Sequence, residues 1–298
     1  MDKKISVVIN TLNEEKNLER VLKSVKWADE IVVVDMHSQD KTVQIAKSFG
    51  AKVYNCQKSD FVEPARNFAI SKASNQWVMI VDADEEIGDR LKVKLRELVN
   101  TDNVEYVRIP RKNLIFGKWM KATGWWPDYN IRFFKKGLVV WSDKIHIPPQ
   151  SQGQGVDLPA EEALAIIHYH YESMTQYLER LNRYTTIQAR EINKNGYQFS
   201  WSDLIKKPME EFLGRFFAQR GYEDGLHGLS LSILQAFSFF VVYLKLWEMD
   251  KFTIQEIKLK ELKDLSNQCQ KDLDYWFRYS RLSKNPLKRL VQRISNKL

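Results

Sequence analysis

The chain has 298 residues, of which 44% are hydrophobic and 28% are charged, a composition typical of one sizeable globular core with an appendage, or of two small domains. The formal net charge is +8, and residues 251–298 hold most of it, with twelve Lys or Arg against five Asp or Glu. The rest of the chain is nearly neutral, which argues against a nucleic-acid-binding body and a nucleic-acid partner.

Through the first hundred residues, short apolar runs alternate with amphipathic segments. Apolar runs that lack a period of two and are separated by helices predict a mostly parallel sheet with helices on both faces. The predicted strands are residues 5–9, 31–34, 52–54 and 77–81, and the predicted helices are residues 15–26, 42–49, 64–73 and 89–99. We therefore expect an α/β fold.

The middle of the chain has a different pattern. Residues 106–109 and 131–134 are strand-like, and the sequence KKG at 135–137 predicts a hairpin turn into a further strand at residues 138–141. Between the first two of these strands lies the aromatic segment FGKWMKATGWWPDY. Residues 147–160 are rich in proline and glycine and predict a loop.

From Thr175 onward the pattern is helical. We therefore expect one domain over residues 1–160 and a mainly helical region over residues 161–298 that makes acceptor, oligomer or membrane contacts. Residues 229–244 are strongly apolar but number only sixteen, fewer than the roughly twenty that a spanning helix needs. They predict a buried helix, a subunit interface or an in-plane membrane helix rather than a transmembrane segment.

The carboxyl end, NPLKRLVQRISNKL, predicts a helix with one apolar face and basic residues largely away from it. Such a helix suits an anionic membrane surface, and it equally suits docking on the protein itself or on a second subunit. The cysteines Cys56 and Cys269 match no metal spacing or disulfide framework, and the amino end does not match a signal peptide. We expect a cytoplasmic protein, either free or peripheral on the inner face of the cytoplasmic membrane.

Polar side chains follow the predicted strands at the points where they end. Ligands of an open parallel sheet bind beyond the carboxyl ends of its strands, where loops and helix amino termini meet. The residues at this rim are Asn10, Thr11, Asn13 and Glu14 after the first strand, Asp35 after the second, Arg66 at the third helix, and Asp82 and Asp84 after the fourth strand. We therefore expect acids and an arginine to converge there.

The acids that end the fourth strand, in WVMIVDADEE, have two interpretations. Asp82 and Asp84 can both reach a hard divalent cation, which prefers carboxylate oxygens and bridges phosphate oxygens. Alternatively, they are only solvent-exposed acids at the end of a strand that leads into a helix, whose first turn favours acids. The expected presence of Glu14, Asp35 and Arg66 at the same rim favours the cation site.

These motifs carry a family resemblance. The segments SVVINTLNEEKNLERVLKSV, EIVVVDMHSQDKT, ARNFAISKA and WVMIVDADEE resemble the inverting glycosyltransferase family 2, of GT-A fold, over about the first 150 residues. The later segments GWWPDYNIRFFKK, IIHYHYESMTQYLERLNRYT and GYEDGLHG resemble the bacterial subgroup that includes lipopolysaccharide inner-core β-1,4-glucosyltransferases. The resemblance implies a nucleotide-sugar donor and a glycan acceptor.

The resemblance implies a role for each rim residue. The donor-binding set is Thr11, Asn13, Glu14, Asp35, Arg66 and Asp82. Thr11, Glu14 and Asp35 would contact the nucleoside, with Asp35 at the base. Arg66 would lie near the diphosphate, and Asp82 would bind ribose or metal.

The resemblance also implies a Mg²⁺ or Mn²⁺ ion that bridges the donor diphosphate and offsets the charge growing on the departing group. Its expected ligands are Asp84, Asp82 and His146, with a purely structural role as the alternative for His146. Glu85 and Glu86 are expected to start the following helix rather than to bind the metal.

An inverting transfer needs a carboxylate that takes the proton of the acceptor hydroxyl. Asp128 is the candidate, because it follows an aromatic segment able to stack against sugars and precedes a strand. Pro127-Asp128 is also ordinary turn chemistry, so a structural role is the alternative. The further candidates are Glu63, Asp143 and Asp157.

His168 and His170 flank Tyr169 and are expected on one face of a strand. Because the sequence offers no third partner at metal spacing, we expect them to serve in packing or in an acceptor loop.

Together these features predict a metal-dependent inverting glycosyltransferase that moves a hexose, glucose from UDP-glucose, onto a hydroxyl of a bacterial cell-surface glycan or lipopolysaccharide core precursor. The expected partners are the nucleotide sugar, a glycan or glycolipid acceptor, an anionic membrane surface and a second copy of the chain. One alternative is a nucleotidyltransferase, although NTLNEE replaces the glycine-rich basic loop that such enzymes carry after the first strand. The other is a non-catalytic glycan-binding or scaffold protein on the same fold.

Overall fold

The computed structural model describes residues 3–57, 63–101, 103–142 and 148–280. The strands are β1 (Ile5–Thr11), β2 (Glu30–Asp35), β3 (Lys52–Asn55), β4 (Trp77–Asp82), β5 (Glu85–Ile87), β6 (Tyr106–Ile109), β7 (Arg111–Ile115), β8 (Lys118–Trp119), β9 (Asn130–Lys135), β10 (Val139–Val140), β11 (Gln150–Ser151), β12 (Gly155–Asp157) and β13 (Ile166–Tyr171). The α-helices are α1 (Leu18–Ser24), α2 (Thr42–Ser48), α3 (Glu63–Lys72), α4 (Asp89–Leu98), α5 (Met174–Lys194), α6 (Asp203–Leu213), α7 (Leu226–Met249) and α8 (Leu259–Ser280).

The chain divides into two compact units. The first comprises Met1–Trp119 and Trp125–His170, and the second comprises Met120–Gly124 and Tyr171–Leu298. The first unit thus extends ten residues beyond the predicted boundary at residue 160, because β13 pairs with β5 through residues 166–168.

The first unit is built on a seven-stranded sheet with the order β12-β6-β9-β4-β1-β2-β3. The strands β4, β1, β2 and β3 pair in parallel, and β9 is antiparallel to both of its neighbours. The predicted α/β fold with a mostly parallel sheet is therefore confirmed.

The apolar strands of this sheet are buried on both faces, as their lack of alternation predicts. All seven residues of β1 are buried. Val7 and Ile9 pack with apolar residues of α1, α2 and α4, whereas Val8 packs with Ala69 and Ile70 of α3 on the other face. Removing each large aliphatic side chain from water stabilises the fold by about 1.5–3 kcal/mol, so this two-sided burial fixes the sheet in place.

A second sheet, with the order β5-β13-β7-β8, follows directly from the end of β4. The expectation that Glu85 and Glu86 start a helix is wrong: both lie in β5, and α4 begins at Asp89. The reason is the antiparallel pairing of β5 with β13, which aligns Glu85 with His168 across the two strands. This distant partner is not visible in the local sequence.

The predicted hairpin between residues 131–134 and 138–141 is also wrong. β9 lies between β4 and β6, so both of its edges are already hydrogen-bonded. β10 pairs instead with β11, and the stretch 147–160, expected to be a loop, contributes the short strands β11 and β12.

The second unit is helical, as predicted, and α7 packs against α5 and α6. Its buried apolar contacts include Val242, Tyr243 and Leu246 of α7 with Ala189 of α5. α7 has 24 residues, more than the sixteen expected, and its most apolar stretch of 18 residues has a mean hydropathy of 1.7 and is one-third buried. By length and composition it is able to cross a membrane, a test that core helices of soluble proteins also pass.

In the same unit, the buried carboxylate of Asp224 accepts hydrogen bonds from the backbone N–H groups of Lys121, at 3.2 Å, and Ala122, at 2.8 Å. The backbone N–H of Thr123 donates a hydrogen bond to the carbonyl oxygen of Gln219 at 2.9 Å. These bonds join the segment Met120–Gly124 to the helical unit.

Glu30, at the amino end of β2, lies at the edge of the main sheet opposite the rim. Its buried carboxylate accepts hydrogen bonds from Ser6 Oγ at 2.5 Å, Lys52 Nζ at 2.6 Å and Ser74 N at 2.7 Å. Burial alone would raise the pKa of Glu30, but these donors outweigh it and lower the pKa to about 2.

Because the unfolded-state pKa of Glu30 is near its ordinary value of 4.5, the ionised carboxylate contributes roughly 3 kcal/mol above that pH, and the contribution is lost as the pH falls toward 2. We expect Glu30→Gln to lower the free energy of unfolding by about 2 kcal/mol at pH 7. The difference from the wild type should shrink as the pH falls from 5 to 3, as measured by urea unfolding. A difference that does not change with pH would contradict this account.

Candidate active site

The carboxyl ends of β1, β2 and β4 lie side by side at one rim of the main sheet. The strand register pairs Thr11 with Asp35 and Asn10 with Asp82. The structure therefore brings the predicted residues of three separate strands to one place. Helix α3, which carries Arg66, packs against β1 and β2 beside them.

Asp35 ends β2 and is only 2% exposed. Its carboxylate accepts hydrogen bonds from the backbone N–H of Ser38 at 2.9 Å, from Ser38 Oγ at 2.5 Å and from Thr11 Oγ1 at 3.3 Å. These donors hold the carboxylate in a single orientation at the rim. Asp35 and Thr11 thus form one buried polar cluster, and their adjacency is what the sequence predicts for neighbouring strand ends.

The loop after β1 is hydrogen-bonded to the loop after β2. Asn13 has a left-handed backbone, with φ of 56°; its N–H donates to Ser38 Oγ at 2.8 Å, and its Oδ1 accepts from the N–H of Gln39 at 2.7 Å. The N–H of Glu14 donates to Thr42 Oγ1 at 2.8 Å. Asn13 and Glu14 therefore shape the rim through two loops that fit each other.

Asp82 lies between two arginines. Its Oδ1 is 2.9 Å from Arg66 Nη2, and its Oδ2 is 2.5 Å from Arg132 Nη2. The same Arg132 nitrogen is 2.9 Å from Glu85 Oε1, and Glu85 Oε2 accepts the backbone N–H of Asp82 at 2.9 Å. Arg132 and Glu85 are buried, so this cluster is closed from solvent on one side.

The surroundings of Asp82 and Arg132 strongly favour the charged forms of both side chains. Burial alone would raise the pKa of Asp82, but the guanidinium of Arg132 and then that of Arg66 hold the pKa well below its usual range. For Arg132, burial alone would lower the pKa. The carboxylates of Asp82 and Glu85 outweigh that effect and hold the pKa of Arg132 above its usual value. Arg66 Nη1 is buried and has no hydrogen-bond partner within the described part of the chain, so it is a donor available to an anion.

Sequence reasoning missed Arg132 and Glu85 as members of the site. The available signal was the charged residue inside the apolar strand Ile131-Arg132-Phe133-Phe134, since a buried arginine requires a partner. The identity of that partner depends on the pairing of β9 with β4, which local sequence does not reveal.

Asp84 lies in the turn between β4 and β5, two residues beyond Asp82. Its Oδ1 is 3.5 Å from Nε2 of His168, a residue of β13. His168 Nε2 is also 3.2 Å from Nδ1 of His170. The structure thus places at the acidic turn two histidines for which the sequence predicts only a packing or acceptor-loop role.

Asp128 lies just before β9 with a φ of 36°, a backbone conformation that residues other than glycine rarely adopt. Its Oδ2 accepts hydrogen bonds from Arg111 Nε at 3.0 Å and Asn113 Nδ2 at 2.8 Å. Arg111 Nη2 is 2.8 Å from the same oxygen. The side chain is 23% exposed, so a fixed carboxylate remains open to solvent.

The further candidates for the base differ in their surroundings. Asp157 lies on β12, the edge strand of the main sheet, and forms a half-exposed ion pair with Arg108. Asp143 and His146 lie outside the described residues, as does the side chain of Glu63. The expected metal role of His146 therefore stays a prediction.

The residues present partly suit a divalent metal. Within the described ranges, no group of three or more His, Cys, Asp or Glu side chains is arranged to hold one. Mg²⁺, however, is usually held by one or two carboxylates together with substrate phosphates. Asp84, next to an imidazole nitrogen, fits that pattern better than Asp82, whose charge is already offset by two guanidinium groups.

The chain is similar to known glycosyltransferases. The family model described as Glycosyl transferase family 2 matches residues 6–152. An uncharacterised glycosyltransferase of Rickettsia typhi is 33% identical over 83% of this chain and 88% of its own. The lipopolysaccharide core biosynthesis glycosyltransferase LpsC of Rhizobium meliloti is 25% identical over 82% of this chain and 92% of its own. Among solved structures, S. aureus TarS 1-349 in complex with UDP-GlcNAc has a TM-score of 0.44 and 19% identity, over 78% of this chain and 79% of its own.

Removing the charge of Arg132 should destabilise the protein strongly, because it leaves the buried Glu85 without its closest cation. We expect Arg132→Met to lower the free energy of unfolding by about 3–5 kcal/mol. The matched control is Arg108→Met, which breaks the half-exposed pair with Asp157 and should cost about 1 kcal/mol or less. Equal losses for the two variants in denaturant unfolding would contradict the assigned role of the cluster.

Proposed function

Because the chain belongs to glycosyltransferase family 2, we propose that this transferase moves a hexose, glucose from UDP-glucose, with inversion onto a hydroxyl of a bacterial cell-surface glycan or lipopolysaccharide core precursor. Its fold is the α/β, GT-A type that the resemblance implies. Family membership favours glycosyl transfer over the nucleotidyltransferase and the non-catalytic scaffold that the sequence leaves open.

The observation that carries the proposal is the convergence of three functional groups at one rim. The Asp35 carboxylate, the Arg66 guanidinium and the Asp84 carboxylate come from β2, α3 and the turn after β4. A nucleotide sugar presents a base and ribose, a diphosphate, and a reacting anomeric carbon in that order. The rim offers acceptors for the first, and an arginine and a cation-binding carboxylate for the second.

For the donor, Asp35 and Thr11 bind the nucleoside, and the loop that carries Asn13 and Glu14 encloses it. Arg66 binds the diphosphate, since its Nη1 has no hydrogen-bond partner among the described residues, and Asp82 holds Arg66 by an ion pair at 2.9 Å. In this role Asp82 orients a phosphate-binding arginine, and it remains able to accept a ribose hydroxyl.

A divalent cation fits at Asp84, with His168 Nε2 as a second ligand and His146 as the ligand expected from the sequence. When bound, Mg²⁺ or Mn²⁺ supplies positive charge to the departing diphosphate. The chain's own contribution is to fix the Asp84 carboxylate beside the buried imidazole of His168.

Asp128 acts as the base. The acceptor hydroxyl oxygen forms a bond to the anomeric carbon while the bond from that carbon to the diphosphate oxygen breaks, and the electron pair leaves with the nucleoside diphosphate. The hydroxyl proton passes to the Asp128 carboxylate. Arg111 and Asn113 hold that carboxylate in place, so its orientation is set before the acceptor arrives.

The acceptor assignment is supported by LpsC, whose name places it in lipopolysaccharide core biosynthesis. A lipid-linked acceptor puts the enzyme at the cytoplasmic face of the inner membrane, free in the cytoplasm or held there by its basic carboxyl end. That predicted helix, residues 286–298, lies outside the described residues. A second copy of the chain is the other partner proposed for it.

Donor binding is tested by thermal unfolding with a panel of nucleotide sugars, with and without Mn²⁺. We expect UDP-glucose to stabilise the protein most, by about 2.7 kcal/mol at a hundred times its Kd, and more with Mn²⁺ than without. Asp84→Asn should fold normally but lose both the Mn²⁺-dependent part and transfer. Asp89→Asn, the same change at an exposed carboxylate, is the control and should retain both. Full transfer by Asp84→Asn would refute the metal role.

The base is tested by transfer kinetics. We expect Asp128→Asn to lower kcat by about 10²–10⁴-fold, because the proton acceptor is lost, while leaving the affinity for UDP-glucose unchanged. Asp157→Asn makes the same change at an edge-strand carboxylate paired with Arg108 and should stay near the wild-type rate. If Asp157→Asn is slow and Asp128→Asn is not, the base assignment is wrong.

A further inference from the structure

Asn113, in the middle of β7, joins the two carboxylates of the site that are given separate roles. Its side chain is fully buried. Nδ2 donates to Asp128 Oδ2 at 2.8 Å and to the carbonyl oxygen of Trp125 at 2.8 Å. Oδ1 is 2.6 Å from Nδ1 of His168, the histidine that faces Asp84. One amide thus contacts both the proposed base and the neighbour of the proposed metal carboxylate.

The contacts determine which way the amide of Asn113 points. A backbone carbonyl only accepts hydrogen bonds, and an ionised carboxylate does the same. The carbonyl of Trp125 and the carboxylate of Asp128 therefore both accept hydrogen bonds from the NH₂ group of the amide. Oδ1 is left facing His168, and an amide oxygen has no proton to give, so Nδ1 of His168 carries the hydrogen of this bond.

The tautomer of His168 determines whether an N–H group or a lone pair of Nε2 faces Asp84. With its hydrogen on Nδ1, the neutral imidazole presents the lone pair of Nε2, 3.5 Å from Asp84 Oδ1 and 3.2 Å from His170 Nδ1. His170 Nδ1 then donates to that lone pair. A cation shared by Asp84 and His168 Nε2 would replace the hydrogen bond from His170, because one lone pair cannot accept a proton and bind a metal at once.

We propose that Asn113 is a positioning residue that sets the orientation of Asp128 and the tautomer of His168 with a single amide. The base on the acceptor side is thereby linked through one hydrogen-bonded chain, Asp128–Asn113–His168, to the imidazole that lies 3.5 Å from the cation-binding carboxylate of Asp84 on the diphosphate side. The roles given to the two ends rest on the proposed function. The tautomer of His168 follows from the hydrogen bonds alone.

The test is ¹⁵N NMR of the metal-free full-length protein with labelled histidine, at a pH where neutral imidazole predominates. The chain has five histidines, and His168→Gln identifies the resonances of His168. In the wild type we expect the proton of His168 on Nδ1. In Asn113→Leu we expect it to move to Nε2, where it can be donated to Asp84, because the acceptor for Nδ1–H is gone.

Two further variants separate the two halves of the role. Asn113→Asp keeps an acceptor for Nδ1–H but offers no donor to Asp128, so His168 should keep the wild-type tautomer while kcat falls by about ten- to a hundredfold. Asn130→Ala is the matched control, because Asn130 Nδ2 contacts Asp128 Oδ1 at 3.3 Å without touching His168. Its tautomer at His168 should be that of the wild type. If Asn113→Leu does not fold, the comparison of Asn113→Asp with Asn130→Ala tests the proposal.

The outcomes are distinct. A wild-type His168 with its proton on Nε2 would overturn the proposal, as would an unchanged tautomer in folded Asn113→Leu or a wild-type kcat in Asn113→Asp. The expected tautomers together with an unchanged KM for the donor and a reduced kcat support it. If no nucleotide sugar is bound or transferred, the proposed function fails, and the tautomer result still decides whether Asn113 orders the chain.

Discussion

Arg132 lies on β9, the antiparallel strand of the main sheet, and its guanidinium meets the carboxylates of Asp82 and Glu85 away from solvent. A buried ion pair of this kind adds little net stability, but removing one partner is costly because the remaining charge cannot be rehydrated. The chain therefore has one low-energy arrangement for the end of β4. The turn that carries Asp84 begins from that fixed point, and β5 continues from it into the second sheet.

The two acids of the Asp-x-Asp pair have opposite surroundings. Asp82 faces two guanidinium groups, and its negative charge is neutralised within the fold. Asp84, two residues later, faces an imidazole across the turn. Since positive charge already surrounds the first carboxylate, a further cation gains most from the second. We therefore propose that Asp84, rather than Asp82, is the carboxylate that holds the cation, although the spacing alone makes the two look equivalent.

Sequence patterns were sufficient for the parts of the fold that depend on local information. The four parallel strands, their helices and the rim that brings Asp35 next to Thr11 follow from hydrophobic periodicity and from the geometry of parallel sheets. The strand β5 and the pairing of β9 with β4 could not be predicted, because both join residues that lie 54 to 83 positions apart in the chain. The same limit hid Asn113 and His168, whose significance appears only once β7 and β13 lie in one sheet.

The bonds that Asp224 makes to the backbone of Lys121 and Ala122 bear on how such enzymes diversify. Five residues in the middle of the amino-terminal sequence belong to the helical unit, and their immediate neighbours Trp119 and Trp125 belong to the other. A recombination event that exchanged only the carboxyl-terminal helices between relatives would bring in an unmatched partner for this inserted segment. Natural chimaeras should therefore inherit the segment Met120–Gly124 and the helical unit together, despite their separation in the gene.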